Sequence, residues 1–404
     1  MTNRLLHTPE GVRDIYGEEL KRKNALKEKL KALVSSYGYS EIETPTFEYF
    51  DVFLNDIGTT PSREIYKFFD SENNTLALRP DFTPGAARAA AKYFLDEKLP
   101  VRLSYLGQTF TNSSELQGKL KEVTELGLEY MGDPTVDADA EIINLAVQVL
   151  LSSGLSDFQL CIGNAEYFKG LCEYASLDSE TIKELTENIR NKNYFGTLDA
   201  LNDVEISREI RETLQSFPDF FGGAEVLSEA EEKVKDIPRS LEAVKRLKEL
   251  YKRLQVYGVE KYLTFDLGML SKHDYYTGIV FRAYTFGTGE AVIRGGRYDN
   301  LLKAFGKDKA AIGFTVVIDQ LLLILNRQHI EDRESRKRSL VLYTPGCFEK
   351  ALIKAGSLRE GGSDTAMTPV PNKNEIHALR DGLSRMDYDA VYFLSESGEE
   401  VLSL

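Results

Sequence analysis

Histidine and cysteine are both scarce in this 404-residue sequence, with four histidines (His7, His273, His329, His377) and three cysteines (Cys161, Cys172, Cys347). The histidines form no spaced metal motif, so no metal is expected. Three widely separated cysteines fit neither a disulfide framework nor a zinc cluster and read as core or surface thiols. No run of eighteen apolar residues occurs, which excludes a membrane helix. The opening MTNRLLHTPEGVRD lacks the basic-then-apolar region of an export signal, so a soluble, cytoplasmic protein is expected. Positive charge is in deficit: 50 Lys and Arg against 64 Asp and Glu leave a net charge of −14, a poor footprint for a phosphate backbone. P-loop, nucleophile elbow and dinucleotide fingerprint are all missing, and the glycines between Phe286 and Gly296 do not open a helix after a strand, so no cofactor is expected. No internal repeat is evident.

What the chain does have is 42% hydrophobic residues, enough to bury a substantial core in two or three domains. Leu26, Leu30, Leu33, Val34 and Tyr37 recur at helical spacing and predict an amphipathic helix over 18–37, stopped at Gly38. Residues 40–50 alternate like a strand, and Pro45 restricts that strand to an edge or a bulge, a natural dimer contact. Short strands are predicted at 64–69 and 75–78 around a turn at 71–74, followed by an Ala-rich helix in LRPDFTPGAARAAAKYF. Residues 101–111 and 122–131 read as antiparallel strands joined by the polar loop 112–121, and 137–153 as a long apolar helix. Charged helical sequence fills about 165–260, a helical insertion with solvated faces. Strand patterning returns in LTFDLGML, GIVFRAYTF and EAVIRGGRYD, and 311–326 reads as a strand followed by a buried helix. The expected fold class is therefore α+β, an antiparallel sheet flanked by helices over 1–326, with a basic linker at 327–338. A small α/β domain follows over 339–404, its helices in CFEKALIKAG and NEIHALRDGLSRM.

Three clusters could carry chemistry. KHDYYTG and RGGRYDNL (272–301) bring His273, Asp274, Tyr275 and Tyr276 near Gly295 and Gly296, which permit close backbone approach to a ligand. Asp81 and Thr83 lie in LRPDFTPG, and Glu125 and Glu129 share one face of their strand because strand side chains repeat every second residue. Such anionic and hydroxyl groups suit a small cationic or amine-bearing ligand. On these residues alone, a glycine-bearing turn with tyrosines filling a half-buried sheet is an equal alternative.

In this order, LRPDFTPGAARA, SYLGQTFTNSSELQGKLKEVTELGLEYMG, DYYTGIVFRAY, GGRYDNL and AIGFTVVIDQL are similar to the motifs of the class II histidyl-tRNA synthetase catalytic domain, and TPEGVRDI resembles its opening; the likeness spans about 8–325. It implies a six-stranded antiparallel class II sheet, a dimer built partly through the first helix and the Pro45 strand, and a histidine pocket made by Asp81, Thr83, Glu125, Glu129, Tyr275 and Tyr276. Asp81 is a methylene shorter than the family's glutamate, and Glu125 replaces its glutamine; a carboxylate there favours the charged form of an imidazole.

The resemblance also implies what has been lost. Three arginines that bring ATP's phosphates and a carboxylate together fall at Thr111, Ser271 and Gln320. None of these side chains supplies a fixed charge or a planar donor fork, and Lys272, next to Ser271 on a strand, would point to the other face. A synthetase-like chain that keeps an amino-acid pocket without those arginines resembles the regulatory subunits of ATP phosphoribosyltransferase. That likeness implies no catalytic residue of its own, a short-form catalytic subunit as partner, L-histidine as feedback inhibitor, and a homodimer within a hetero-octamer. The C-terminal unit resembles a shortened anticodon-binding domain whose acidic ending, SESGEEVLSL, is poor material for an RNA surface, so no tRNA is expected. An active histidine-tRNA ligase, and a synthetase-like paralogue with another role, are the competing readings.

Overall fold

The structure, a computed structural model, describes residues 4–54, 60–94, 96, 98–112, 120–202, 204–217, 220–270, 275–330, 337–373 and 388–402. The chain divides into two compact units, Met1–Arg13 with Lys27–Ile330, and Asp14–Leu26 with Glu331–Leu404.

Helix α1 (Gly17–Ser36) ends as its spacing predicts: Gly38 takes a left-handed φ of 81° and its N–H closes on the Ser35 carbonyl. The single strand predicted over 40–50 is instead two, β1 (Ser40–Glu41) and β2 (Phe47–Tyr49), which join different sheets. Pro45, with no N–H to donate, stands between them, and the preceding Thr44 carbonyl is taken by Arg79 Nη1 at 2.8 Å. Strand β4 (Thr75–Leu78) lies between β2 and β3 (Lys67–Phe69) in a small antiparallel sheet, and the strand predicted from residue 64 begins only at Lys67. Helix α2 (Thr83–Tyr93) starts with Pro84 in its first turn, where a missing N–H costs nothing, and buries Ala86, Ala87, Ala90 and Ala91.

Strands β5 (Val101–Phe110) and β6 (Glu122–Met131) form the long antiparallel hairpin that their alternation predicts. Helix α3 (Val136–Ser152) and strand β7 (Phe158–Asn164) follow. The charged stretch beyond them folds into α4 (Ala165–Tyr174), α5 (Ser179–Arg190), α6 (Tyr194–Asp199), α7 (Arg208–Gln215), α8 (Glu225–Lys233) and α9 (Pro238–Tyr257). Side-chain caps start four of them at Asn164, Asp178, Asn193 and Ser207. Between α7 and α8, the two-residue β8 (Phe221–Gly222) ties this stretch to the main sheet through β9 (Leu263–Asp266).

The main sheet is completed by β10 (Ile279–Thr285), β11 (Ile293–Arg297) and β12 (Ala311–Val317), with α10 (Leu301–Ala304) and α11 (Ile318–Arg327) following β11 and β12 respectively. Its order is β1-β5-β6-β12-β11-β10-β7-β9-β8. The six central strands, β5 to β7, pair antiparallel throughout, as expected. At its flanks the sheet becomes mixed, because β1 joins β5 and β9 joins β7 in parallel. A buried ion cluster fixes the start of α3 to the end of β11: the Asp139 carboxylate, fully buried, accepts from Arg297 Nε at 2.9 Å and Nη2 at 2.6 Å and from Arg246 Nε at 2.7 Å.

The second unit carries β13 (Arg338–Tyr343), α12 (Phe348–Glu360), β14 (Asp364–Pro369), β15 (Ala390–Ser395) and β16 (Gly398–Leu402), ordered β14-β13-β15-β16. The acidic ending, to which the sequence pattern assigned no element, is an edge strand: Gly398, at a φ of 137°, turns the chain back, and Lys354 pairs with Glu399 at 2.6 Å. The helix predicted at 374–386 lies outside the described residues. Among the described residues, no helix is long and apolar enough to cross a membrane.

Candidate functional site

The floor of the site is one face of the central sheet, and the strand register fixes which side chains share it. Glu129, Gly313, Gly296 and Val280 stand side by side across β6, β12, β11 and β10. One step along the strands lies the parallel row Gly127, Thr315, Arg294 and Arg282. Gly313 and Gly296 are obligatory there: a Cβ on Gly313 would run into the Glu129 carboxylate, and one on Gly296 would come within 2.6 Å of the Tyr276 ring. The missing side chains let the Glu129 carboxylate and the Tyr276 ring lie down against the sheet, and Pro80, Asp81, Thr83 and Tyr275 continue the lining.

The result is a cavity of about 340 Å³. Asp81, Thr83, Glu125, Glu129, Tyr275 and Tyr276, the six residues singled out from sequence, all line it. Asp81 Oδ1 accepts the Thr83 N–H at 2.9 Å, a turn that sets both side chains at the mouth of α2. Glu129 is deepest, 1% exposed. Its Oε1 accepts from Tyr105 OH at 3.0 Å, and its Oε2 accepts from Tyr298 OH. Tyr275 stacks on Tyr298, ring centroids 5.6 Å apart, and meets Tyr276 edge-on at 5.1 Å. His273 and Asp274 of the same motif lie outside the described residues.

Negative charge converges here against the preference of burial. Desolvation, then the Asp81 charge, lifts the Glu125 carboxyl to about 8, with Thr109, Arg294 and Arg79 pulling the other way. Glu129 is raised to about 8 as well, chiefly by burial, with the Tyr298 hydrogen bond opposing. Tyr276 is pushed up to about 12, and Tyr275 and Tyr298 also go up, so all three hydroxyls stay protonated donors at neutral pH. Two carboxyls held protonated near neutral pH, an aspartate and three aromatic hydroxyls thus share one cavity and make its lining rich in hydrogen-bonding groups.

Arg294 and Tyr298 are among the lining residues that the sequence reading did not single out. Both lie inside RGGRYD, on either side of its glycines. Alternation was the available signal, since Arg294 is two residues from Gly296 and so shares its face. The motif's other members are structural: Arg297 holds Asp139, and Asp299 Oδ1 accepts the Ala311 N–H at 2.9 Å. Neither Thr111 nor Gln320 lines the cavity. Thr111 donates its N–H to the Lys121 carbonyl at 2.8 Å, and Gln320 Nε2 donates to Thr288 Oγ1 at 3.3 Å. Ser271 lies outside the described residues. Buried Arg79 is committed to backbone, donating to the Gln108 and Thr44 carbonyls.

An antiparallel six-stranded platform with a glycine-floored, acid-lined cavity on its face defines a class II aminoacyl-tRNA synthetase-like protein, and a family model described as histidyl-tRNA synthetase matches residues 11–321. A solved structure from Bacillus halodurans, described as an ATP phosphoribosyltransferase regulatory subunit/histidyl-tRNA synthetase, superposes with a TM-score of 0.85 at 29% identity, covering 96% of this chain and 98% of that one. The ATP phosphoribosyltransferase regulatory subunit of Acetivibrio thermocellus is 36% identical over 88% of this chain and 85% of its own length. That of Ruminiclostridium cellulolyticum is 38% identical over 88% and 84%. The chain belongs to the family of ATP phosphoribosyltransferase regulatory subunits, within the histidyl-tRNA synthetase-like proteins.

Proposed function

We propose that this chain is the non-catalytic regulatory subunit of an ATP phosphoribosyltransferase and that it binds free L-histidine in the 340 Å³ cavity, so that the first step of histidine biosynthesis responds to its end product. The carrying observation is the convergence of Asp81, Thr83, Glu125, Glu129, Tyr275 and Tyr276 on one cavity within a chain of this family. Glu129 and the Tyr275 ring are suited to an imidazole, and Asp81, Thr83 and Glu125 to an α-ammonium group. The absence of catalysis is argued from Thr111, Ser271 and Gln320, where the synthetase likeness implies arginines. Losing three such cations, at about 3 kcal/mol each, would slow adenylate formation by several powers of ten even without full additivity.

The partner in this reading is a short-form catalytic subunit, met in the cytoplasm by a homodimer of this chain within a hetero-octamer. Exposed aromatics on the small sheet (Phe47 53%, Tyr49 60% and Phe69 71% exposed) support a self-association face.

Calorimetric titration of the purified chain with histidine, with and without ATP, tests the reading. Histidine is expected to bind without ATP. Asp81→Asn keeps an acceptor for the Thr83 N–H while removing the charge, and Tyr275→Ala removes the stacked ring; each is expected to weaken binding about tenfold or more. Histidine-dependent pyrophosphate exchange would overturn the non-catalytic assignment, and no binding at millimolar histidine would overturn the pocket assignment.

A further inference from the structure

Charge alternates between rows of the sheet, with Glu129 and Glu125 on the rows to either side of the one that carries Arg294 and Arg282. One row of the sheet brings Glu129 to the cavity, and the next row brings Arg294 and Arg282 directly opposite one another on β11 and β10. Rows on one strand face are about 7 Å apart and neighbouring strands about 4.8 Å, so Arg294, one row and two strands from Glu129, has its backbone roughly 12 Å away, a span that the two side chains and a small ligand between them can fill. Two like charges facing each other across a strand pair destabilise a sheet unless something of opposite sign answers them. Within the protein the answer is incomplete. Arg294 meets Glu290 at 3.5 Å, with its own side chain 53% exposed, and among the described residues Arg282 makes no ion pair. Arg190, at the end of α5, adds further positive charge beside Arg282. Arg294 also lines the cavity, within electrostatic reach of both Glu125 and Tyr276.

We propose that Arg294 and Arg282 form the carboxylate seat of the cavity, binding the α-carboxylate of the amino acid whose ammonium and side chain lie on Asp81, Glu125 and Glu129. This rests on the assignment of the cavity to histidine. It adds a requirement the acidic residues alone do not impose: the ligand must be a zwitterion with a free carboxylate. A guanidinium pair presents planar forks that match a carboxylate in two parallel hydrogen bonds. Selectivity follows. Histamine and histidinol carry the imidazole and the ammonium but no carboxylate, and they leave both arginines unanswered.

The test crosses the two deletions. Histidine and histidinol are titrated by calorimetry into the wild-type chain and into Arg294→Gln and Arg282→Gln variants whose melting temperatures are checked first. Wild type is expected to prefer histidine to histidinol by about tenfold or more. Arg294→Gln should lose most of that preference by weakening histidine while leaving histidinol unchanged, and Arg294→Lys should recover part of it. Equal losses for both ligands, or histidine bound by Arg294→Gln as tightly as by wild type, would overturn the carboxylate seat while leaving the histidine pocket standing. A wild-type chain that binds neither ligand would overturn both. A variant that keeps histidine affinity but loses ATP binding would assign the arginines to phosphate and also overturn the seat.

Discussion

Glu125 and Glu129 illustrate how far single residues could be read in advance. Their two-residue spacing on a strand places them on one face, and they do share the cavity. What spacing could not show is how deep each lies, because depth depends on which strands flank them. Glu129 is sealed by Tyr105 and Tyr298, residues from β5 and from just beyond β11, whereas Glu125 keeps contact with solvent through the cavity mouth. Both carboxyls titrate near 8, above the 4.5 of an open chain, so the folded state holds protons that the unfolded state has released. Their contribution to stability is whole below pH 4.5 and is lost as the pH rises through 8. Glu125→Gln removes a charge that burial and Asp81 both oppose and keeps an acceptor for Thr109. It is therefore expected to stabilise the chain by on the order of 1–3 kcal/mol at pH 9, discounted for the open mouth, and by nearly nothing at pH 4. Denaturant melts at the two pH values check this. A gain of equal size at both would mean that Glu125 is not a raised carboxyl.

At the level of elements, the sequence reading succeeded where local period and burial agree and failed where pairing partners decide. The β5–β6 hairpin and helices α1 and α3 matched within a residue or so, because each has an unbroken period of its own. The region around Pro45 did not. Alternation there continues across residues 40–50, but β1 has its partner in β5 and β2 has its partner in β4, a division that only tertiary structure reveals. The strand in the acidic ending went unassigned for the reverse reason, since its charges break the apolar alternation of an edge strand that Glu399 and Glu400 keep wet. The β2–β4–β3 sheet then raises a physical question of its own: Tyr49 and Phe69, on its two outer strands, are largely exposed. Covering them with a second copy of the chain would remove that surface from water at about 25 cal/mol per Å². Tyr49→Glu combined with Phe69→Glu is expected to shift the chain from dimer to monomer in sedimentation velocity, with melting of the monomer otherwise preserved. A dimer that survives the double substitution would place the self-association face elsewhere.

For the whole molecule, the question is how a ligand in one cavity could govern chemistry on another chain. The cavity is lined from β6, β12 and β11, so a ligand seated between Glu129 and Arg294 would tie three central strands together. Through Arg297 and Asp139, β11 is also clamped to α3, and Arg246 extends the clamp to α9. A shift of the floor, if binding produced one, would be carried through these contacts to helices distant in sequence, in the way rigid packed elements transmit discrete rearrangements. Histidine inhibits by this route only if it binds one state of the complex better than another, and such coupling must be reciprocal in binding free energy. Saturating histidine should weaken binding of the transferase's substrates to the complex by the same factor by which saturating substrates weaken binding of histidine. A coupling of 1–3 kcal/mol corresponds to roughly 5–150-fold. Measuring all four affinities by calorimetry on the assembled complex closes the cycle. Equal factors, both abolished by Asp81→Asn in this chain, assign the control to this cavity. Inhibition that persists in the Asp81→Asn complex, with histidine affinity unaffected by substrates, would move the site of control to the catalytic subunit and leave this cavity without a regulatory role.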